Sequence, residues 1–487
     1  MALISPVHRL LASPADVVAD ENHLQQVFRR RCRVGARRRR RRRTWEAAMR
    51  RSAAIGGAIL VAAVVTPLVG AHAADPQPAD KPAPVTSDEA EPWLFGDWAG
   101  ERLRLRDKGI DFQFGYVSEV AYNAAGGDRQ MVRYADQWTA GVTLDLDKLV
   151  GVPDARFQMT FTQRDGRNLS TDAKLGTLQQ VQEVFGRGQT ARLTQFWYQQ
   201  TFADDLIDWK IGRMTFGEDF AAFACDFQNL TFCGANPGNL DGDYIYNWPI
   251  SQWATRVKVN IEDFGYVQAG VYDMNPKYLG TADALLPVWF PNSTGALVPV
   301  EVGWTPTLGE AALPGSYKFG AWYATASADS VAYDRNGNYF AVTGLPPAQE
   351  RGRWGAYINF QQQLTERVNV FLNAVWSDER TSFTDRQAAA GIVYTGPFAS
   401  RPEDDIGFAA GLTHVNDKVA DSQRAQNRAG LGRVPVQTTE YAFELYYTFR
   451  PTAGLLLRPN LQYVLHPGGT TKNPDVFVLG LKTSANF

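Results

Sequence analysis

Residues 441–449 read YAFELYYTF, and residues 253–261 read WATRVKVNI. In the first stretch Tyr441, Phe443, Leu445, Tyr447 and Phe449 share one side of an extended chain, and Ala442, Glu444, Tyr446 and Thr448 share the other. In the second, Trp253, Thr255, Val257, Val259 and Ile261 oppose Ala254, Arg256, Lys258 and Asn260. A period of two, with charge on one face and bulky apolar groups on the other, marks a strand between two different environments. Periodicity alone fits a soluble sheet and a membrane barrel equally. The number of such strands separates them.

Outward from these two stretches, the alternation recurs in about sixteen segments, with Gly, Pro, Asn or Asp between them. They centre on 111–122, 136–146, 154–164, 191–200, 207–213, 253–262, 264–273, 298–305, 316–326, 353–362, 368–378, 383–393, 405–415, 438–449, 454–465 and 475–487. A closed sheet of that size encloses a lumen too wide for side chains to fill, so the polar faces line water and the apolar faces meet lipid. The connections agree, because short ones (147–153, 202–206, 262–264, 363–367, 450–453) alternate with long ones (165–190, 214–252, 274–297, 327–352, 416–437). Such alternation gathers the short turns at one rim and the long loops at the other, as in bacterial outer-membrane barrels. The expected fold is therefore an all-β transmembrane antiparallel barrel of about sixteen strands. Its last strand places Phe477, Leu479, Leu481, Thr483, Ala485 and Phe487 on one face, and the terminal Phe resembles the assembly signal of such barrels.

Composition supports this class. The 487 residues are 45% hydrophobic and 21% charged, with 43 Gly, 13 Trp and 19 Tyr, which excludes disorder as the main state. A mean hydropathy of −0.29 is too low for a bundle of membrane helices. Residues 1–74 contain 14 Arg and four acids; removing them from the 49 basic and 51 acidic residues leaves 35 and 47, a formal charge of −12. An acidic body argues against nucleic acid as a partner.

The basic front end reads as an export signal. Met49-Arg50-Arg51 precedes an apolar run from Ala53 to Val69 and the small-residue site Ala71-His72-Ala73, predicting a signal peptide over 49–73. Residues 1–48 are then an upstream extension or the product of a mis-assigned start. Residues 74–92 are a Pro-rich, acidic tether, and 93–110 hold a short periplasmic helix over DWAGERLRLRDK (97–108), capped by Asp97. The barrel follows over 111–487, with almost no further helical period. Cys225 and Cys233 follow the signal and suit a loop disulfide in an oxidising compartment. With only His414 and His466 beyond the signal, no metal site is expected, and no cofactor.

Six stretches carry a resemblance: WLFGDWAGERLRLRDKGIDF (93–112) with YNAAGG (122–127), IGRMTFGEDF (211–220), FQNLTFCGANPGN (227–239), WPISQWATRVKV (248–259) and LRPNLQYVLHPGG (457–469). In order and spacing they resemble the carbohydrate-selective OprB family of outer-membrane porins, from Trp93 to Phe487. The resemblance implies a sixteen-stranded barrel with an inward-folded constriction loop that passively admits sugars such as glucose.

A sugar pore needs paired donors and acceptors for hydroxyls and aromatic faces for pyranose rings, without tight binding. The connection 214–252 carries Phe216, Phe220, Phe223, Phe227, Phe232 and Trp248 among Glu218, Asp219, Asp226, Asn229, Asn236 and Asp241. Those phenylalanines either meet the solute or pin the loop to the wall. By strand parity, the expected pore-lining residues are Arg213, Arg256, Arg458, Glu119, Trp197 and Glu444, joined by Asp226 and Asn229 from the loop. The three arginines are the leading candidates, as fixed multi-donor forks for vicinal hydroxyls. The expected function is passive, selective diffusion of neutral sugars, with membrane lipids and lipopolysaccharide around the barrel and a homotrimer as the assembly expected of such pores. A general or differently selective porin is the alternative. An outer-membrane barrel enzyme is more remote, since no GxSxG elbow accompanies the two histidines.

Overall fold

The computed structural model describes residues 93–281, 284–286 and 292–487. The extension, signal and tether assigned to 1–92 lie outside the described residues. The strands are β1 (Ile110–Ala125), β2 (Val132–Asp145), β3 (Ala155–Gly166), β4 (Ala191–Phe202), β5 (Ile207–Met214), β6 (Gln252–Ile261), β7 (Gly265–Met274), β8 (Gly295–Trp304), β9 (Thr307–Leu308), β10 (Leu313–Asp334), β11 (Pro347–Thr365), β12 (Val368–Ser377), β13 (Thr384–Thr395), β14 (Asp405–Val415), β15 (Thr439–Thr452), β16 (Leu455–Leu465) and β17 (Val476–Asn486). β9 is a two-residue ladder in the turn before β10. The other sixteen form one closed antiparallel barrel. Closure is made by β1 against β17, with Tyr116 opposite Ala485 and Ala121 opposite Gly480.

The barrel is inside out relative to a soluble protein. Val257, Val271, Phe319, Phe408 and Leu445 leave 43–50% of their surface exposed, whereas Arg256, Asn359, Glu444 and Gln462 on the opposite faces are buried. Only a lipid surround makes an apolar exterior of this extent favourable. Gly320 on β10 shows how the inner wall accommodates bulk. A Cβ there would lie 2.0 Å from the Tyr357 ring, so glycine lets that ring lie flat against the wall.

Each segment expected as a strand is one, several run a few residues past the expected bounds, and β10 and β11 are extended most. β10 and β11 run on to Asp334 and back from Pro347, shortening the expected 327–352 loop to 335–346. Residues 327–334, SADSVAYD, lack the apolar alternation that marks lipid contact, so pattern stops before pairing does.

Two helical expectations need correction. The helix at the front covers Glu101–Asp107, and Asp97 does not cap it; Gly100 precedes it at φ 88°, with no side-chain cap. Trp98, Ala99 and Gly100 all have positive φ, a left-handed turn that separates Asp97 from the first helical turn. This helix is fastened to the barrel by Arg102, which is buried over Trp93 and donates to the carbonyls of Phe112 and Phe487. Besides several one-turn helices, the structure has a twelve-residue helix, Asp417–Arg428, that the sequence pattern does not predict. Its sequence DKVADSQRAQNR is polar on most faces and leaves no hydrophobic period to read, but Asn416 caps it by accepting from the Lys418 amide at 2.9 Å.

Candidate functional site

The segment between β5 and β6, residues 215–251, leaves one wall and touches most of the others. A capping box at Thr215 and Glu218 starts its first turn, Phe216–Asp219. The chain then reaches β8 and β11, where the Ala221 amide donates to Glu301 at 2.9 Å and Asn359 donates to the Ala221 carbonyl at 2.9 Å. Lys318 on β10 donates to the Ala222 carbonyl at 2.6 Å. Further on it meets β15, β16 and β17. Glu444 accepts the Gln228 and Asn229 amides, both at 2.8 Å, Asn229 donates to Gln462 at 3.0 Å, and Lys482 donates to the carbonyls of Cys225 and Phe227 at 3.0 and 2.9 Å. Asn236 reaches Gln387 on β13 at 2.8 Å, and Trp248 donates to Gln137 on β2 at 3.0 Å. A loop bonded to walls all around the barrel crosses the lumen. Cys225 and Cys233 are joined as a disulfide within it, their Cα atoms 4.3 Å apart.

The aromatic residues of this loop serve as anchors. Phe216 and Phe220 pack on Tyr272 of β7, and Phe227 and Phe232 pack with Phe371 of β12 and Tyr446 of β15. Burying four phenyl rings in this way stabilises the inward position by several kcal/mol, at roughly 1.5–3 kcal/mol per side chain. Phe223, beside Phe371 at 5.0 Å, stays partly exposed.

Two constellations of charge flank the crossing. In the first, Lys210 on β5 donates to Glu218 at 2.9 Å and Asp219 at 3.1 Å, while Arg256 on β6 meets Asp208 at 2.7 Å and Asp219 at 3.1 Å. Trp197 on β4 donates its indole N–H to Glu218 at 2.9 Å and carries the Lys210 ammonium over its ring at 4.4 Å. Burial alone would push the Asp219 carboxyl up, but Lys210 and Arg256 outweigh it and hold that group below its ordinary value. In the second, Arg458 on β16 lies over Tyr446 at 4.4 Å and pairs with Asp226 at 3.3 Å. Beside it Lys482 pairs with Glu183 at 3.1 Å and Glu119 at 3.6 Å. Glu119 also accepts the Val184 amide at 3.1 Å, which fastens the neighbouring connection 167–190 to the inner wall.

The structure thus brings Arg256 and Trp197 together in one constellation, and Arg458, Asp226, Asn229, Glu444 and Glu119 around the other. Arg213 is a correction. On β5 it shares the face of Ile207 and Ile211, which point to lipid, and stands opposite Phe196 and Trp253 in the ladders. It is buried outside the lumen, donating to Ser251 at 3.1 Å and lying over the Tyr278 ring at 4.3 Å. The inward residues of β5 are Asp208 and Lys210, recognisable in the sequence as polar groups alternating with Ile207, Trp209 and Ile211. Sequence reasoning also passed over Lys482, the one charge in the last strand, and Glu301, whose carboxylate accepts from Ala221, Tyr266, Gln268 and Tyr357. His414 is bound to Asp385 at 2.7 Å at a strand end.

The carbohydrate-selective porin family, OprB, matches residues 129–487. This chain belongs to that family. It is 43% identical to Porin B of Pseudomonas aeruginosa over 415 residues, covering 81% of this chain and 91% of that one. It is also 36% identical to the putative porin QuiX of Acinetobacter baylyi over 420 residues, covering 81% and 93%. The high-pH structure of Pseudomonas putida OprB superposes with a TM-score of 0.79 at 42% identity, covering 82% of this chain and all of that one. The OprB-family barrel is a channel of the bacterial outer membrane and not an enzyme.

Proposed function

We propose that small neutral sugars, glucose and short oligosaccharides among them, diffuse passively through this barrel past the crossing loop. The observation that carries this reading is the pairing of lumen charge. Lys210, Arg256 and Lys258 are matched by Glu218, Asp219 and Asp208, three charges against three, beside the half-buried face of Trp197. A wall whose charges are matched offers no net field to draw an ion, yet presents adjacent donors and acceptors to hydroxyls. A sugar exchanges water for these groups one contact at a time, and Trp197 supplies an apolar face without a deep pocket that would slow release. Asp226 and Lys258, each with about a fifth to a quarter of its side chain exposed, are the polar contacts we assign to the passage. Arg458, Asn229 and Glu444 act one step removed, by holding the loop, and Glu119 by holding the neighbouring connection 167–190.

We further assign 49–73 as the export signal and 74–92 as a periplasmic tether, the long-loop rim as the face toward lipopolysaccharide, and a homotrimer as the assembly. Single-channel conductance of the refolded protein tests the central reading, with glucose, maltose, succinate or arginine added on one side. Block by the sugars alone is expected. Equal passage of all four solutes would make it a general diffusion pore.

A further inference from the structure

A second recess opens at the long-loop rim, away from both charge constellations. A cavity of about 480 Å³ lies between the loop residues Asp243 and Tyr244 and the ends of β10 and β11, which bring Ser327, Asp329, Gln349 and Arg353 to its wall. This volume is in the range of small-molecule sites, about 300–1,000 Å³. Arg353 organises it. The residue shares the inward face of Tyr357 and Asn359, and its guanidinium lies over the Tyr244 ring at 3.7 Å. Tyr244 is itself fixed, accepting from Trp322 at 2.9 Å and donating to Asp241 at 3.2 Å. One terminal nitrogen of Arg353 donates to Asp243 at 2.6 Å, while its Nε, though buried, has no hydrogen-bond partner among the described residues. Across the recess Gln349 donates to Asp329, and both side chains are open to solvent.

The chemistry selects a ligand class. The guanidinium is held flat by stacking and keeps donor capacity, and the two carboxylates beside it would repel an anion. Asp243 is matched by Arg353, and the remaining carboxylate, Asp329, is solvent-exposed and bonded to the neutral Gln349 amide, so water and salt screen the field it could offer a cation. What the recess offers is donors and acceptors side by side, the requirement of vicinal hydroxyls. We propose that this recess is an outer docking site that holds a neutral mono- or disaccharide before it reaches the crossing loop. The proposal rests on the sugar-channel reading given above. Its role is kinetic: a sugar retained at the mouth raises the rate of entry from that side and leaves entry from the other side to the loop alone.

The test is one-sided addition of maltose to single channels of the mature protein in planar bilayers, with association rates read from current noise for each compartment. Arg353→Met and Gln349→Ala are compared with the wild type and with Trp197→Ala. The expected result is that both recess variants lower association from one compartment by about threefold or more, while Trp197→Ala weakens block from both compartments. If both recess variants match the wild type while Trp197→Ala weakens block, the outer site is refuted and the sugar channel stands. Losses of equal size from both compartments in the recess variants would also refute it. Arginine slowed more than maltose by the same variants would overturn the ligand class. Absence of maltose block in the wild type would remove the sugar-channel reading, and the outer site with it. Gln349→Ala decides alone if Arg353→Met fails to form channels, because Gln349 is solvent-exposed and its partner Asp329 is exposed as well.

Discussion

Replacing Glu444 by alanine tests whether the lumen carboxylates are loop anchors. The carboxylate is buried and accepts two successive backbone amides, Gln228 and Asn229, each at 2.8 Å. Hydrogen bonds to a charged group contribute about 1.5–3 kcal/mol each, so both together hold this part of the loop by roughly 3–6 kcal/mol. Neither amide has water to turn to while the loop stays seated. At about 1.4 kcal/mol per tenfold, hydrogen exchange at these two amides should accelerate by about 10²–10⁴ in Glu444→Ala. Glu444→Gln keeps one acceptor oxygen and should fall between. The assay is exchange read by mass spectrometry on peptides spanning 226–232, with strand peptides as internal reference. The loop keeps its other ties, Arg458 to Asp226 and Lys482 to the carbonyls of Cys225 and Phe227, so the effect should remain local. Protection at both amides within about threefold of wild type would refute the anchoring role, and uniform loss over all strands would show global destabilisation instead.

Three further outcomes follow from the same geometry. Arg213→Met should leave sugar block and conductance unchanged while lowering the heat stability of the barrel, because Arg213 packs on Tyr278 and Ser251 outside the lumen; altered sugar kinetics in bilayer recordings would return it to the pore. Gly320→Ala should push the Tyr357 ring from the wall, breaking its 2.6 Å bond to Glu301 and destabilising the fold by about 1–3 kcal/mol in thermal unfolding; an unchanged midpoint would contradict the close approach. Burial raises the Asp241 carboxyl from 3.8 to about 6, against the opposing hydrogen bond from Ser382. The docked loop therefore binds a proton more tightly than the free one, so docking is strongest below about pH 4, weakens by up to about 3 kcal/mol as pH rises to about 6, and is flat beyond. Asp241→Asn should flatten this profile, as read by exchange of peptides covering 241–246.

The barrel was legible because lipid contact writes a period of two into every strand. Segments such as 405–415 and 455–465 carry it from end to end, and pairing there begins and ends within a residue of the pattern. Legibility faded where that pressure stops. Above the membrane β10 and β11 continue on residues with no apolar face, and the Asp417–Arg428 helix rests on its Asn416 cap more than on any stripe. At the site, parity assigns Arg256, Glu119, Arg458 and Arg213 to the inner face; the first three lie there, and Arg213 lies on the outer one. Charge at the end of a strand suggests the lumen, but the polar partner Ser251 and the aromatic cover of Tyr278 allow a guanidinium on the outer face. Partner choice was not legible at all, since nothing local distinguishes a carboxylate that meets solutes from one that accepts two backbone amides.

That last distinction reshapes how the lumen acids are understood. A sixteen-stranded wall is too wide to select by itself, so a loop must be brought inside, and its amides and carbonyls must be satisfied away from the backbone ladder. Glu119, Glu301, Glu440 and Glu444 each accept at least one backbone amide of an infolded or rim segment, while Lys318 and Lys482 donate to backbone carbonyls. Their charge is consumed in building the constriction, and the formal charge of −12 on residues 75–487 does not become a lumen field of that size. On the sugar-channel reading proposed above, contact with the solute falls to groups left partly exposed beside the loop, Trp197, Asp226 and Lys258 among them. Neutral hydroxylated solutes are the class for which such a passage is neither a barrier nor a trap.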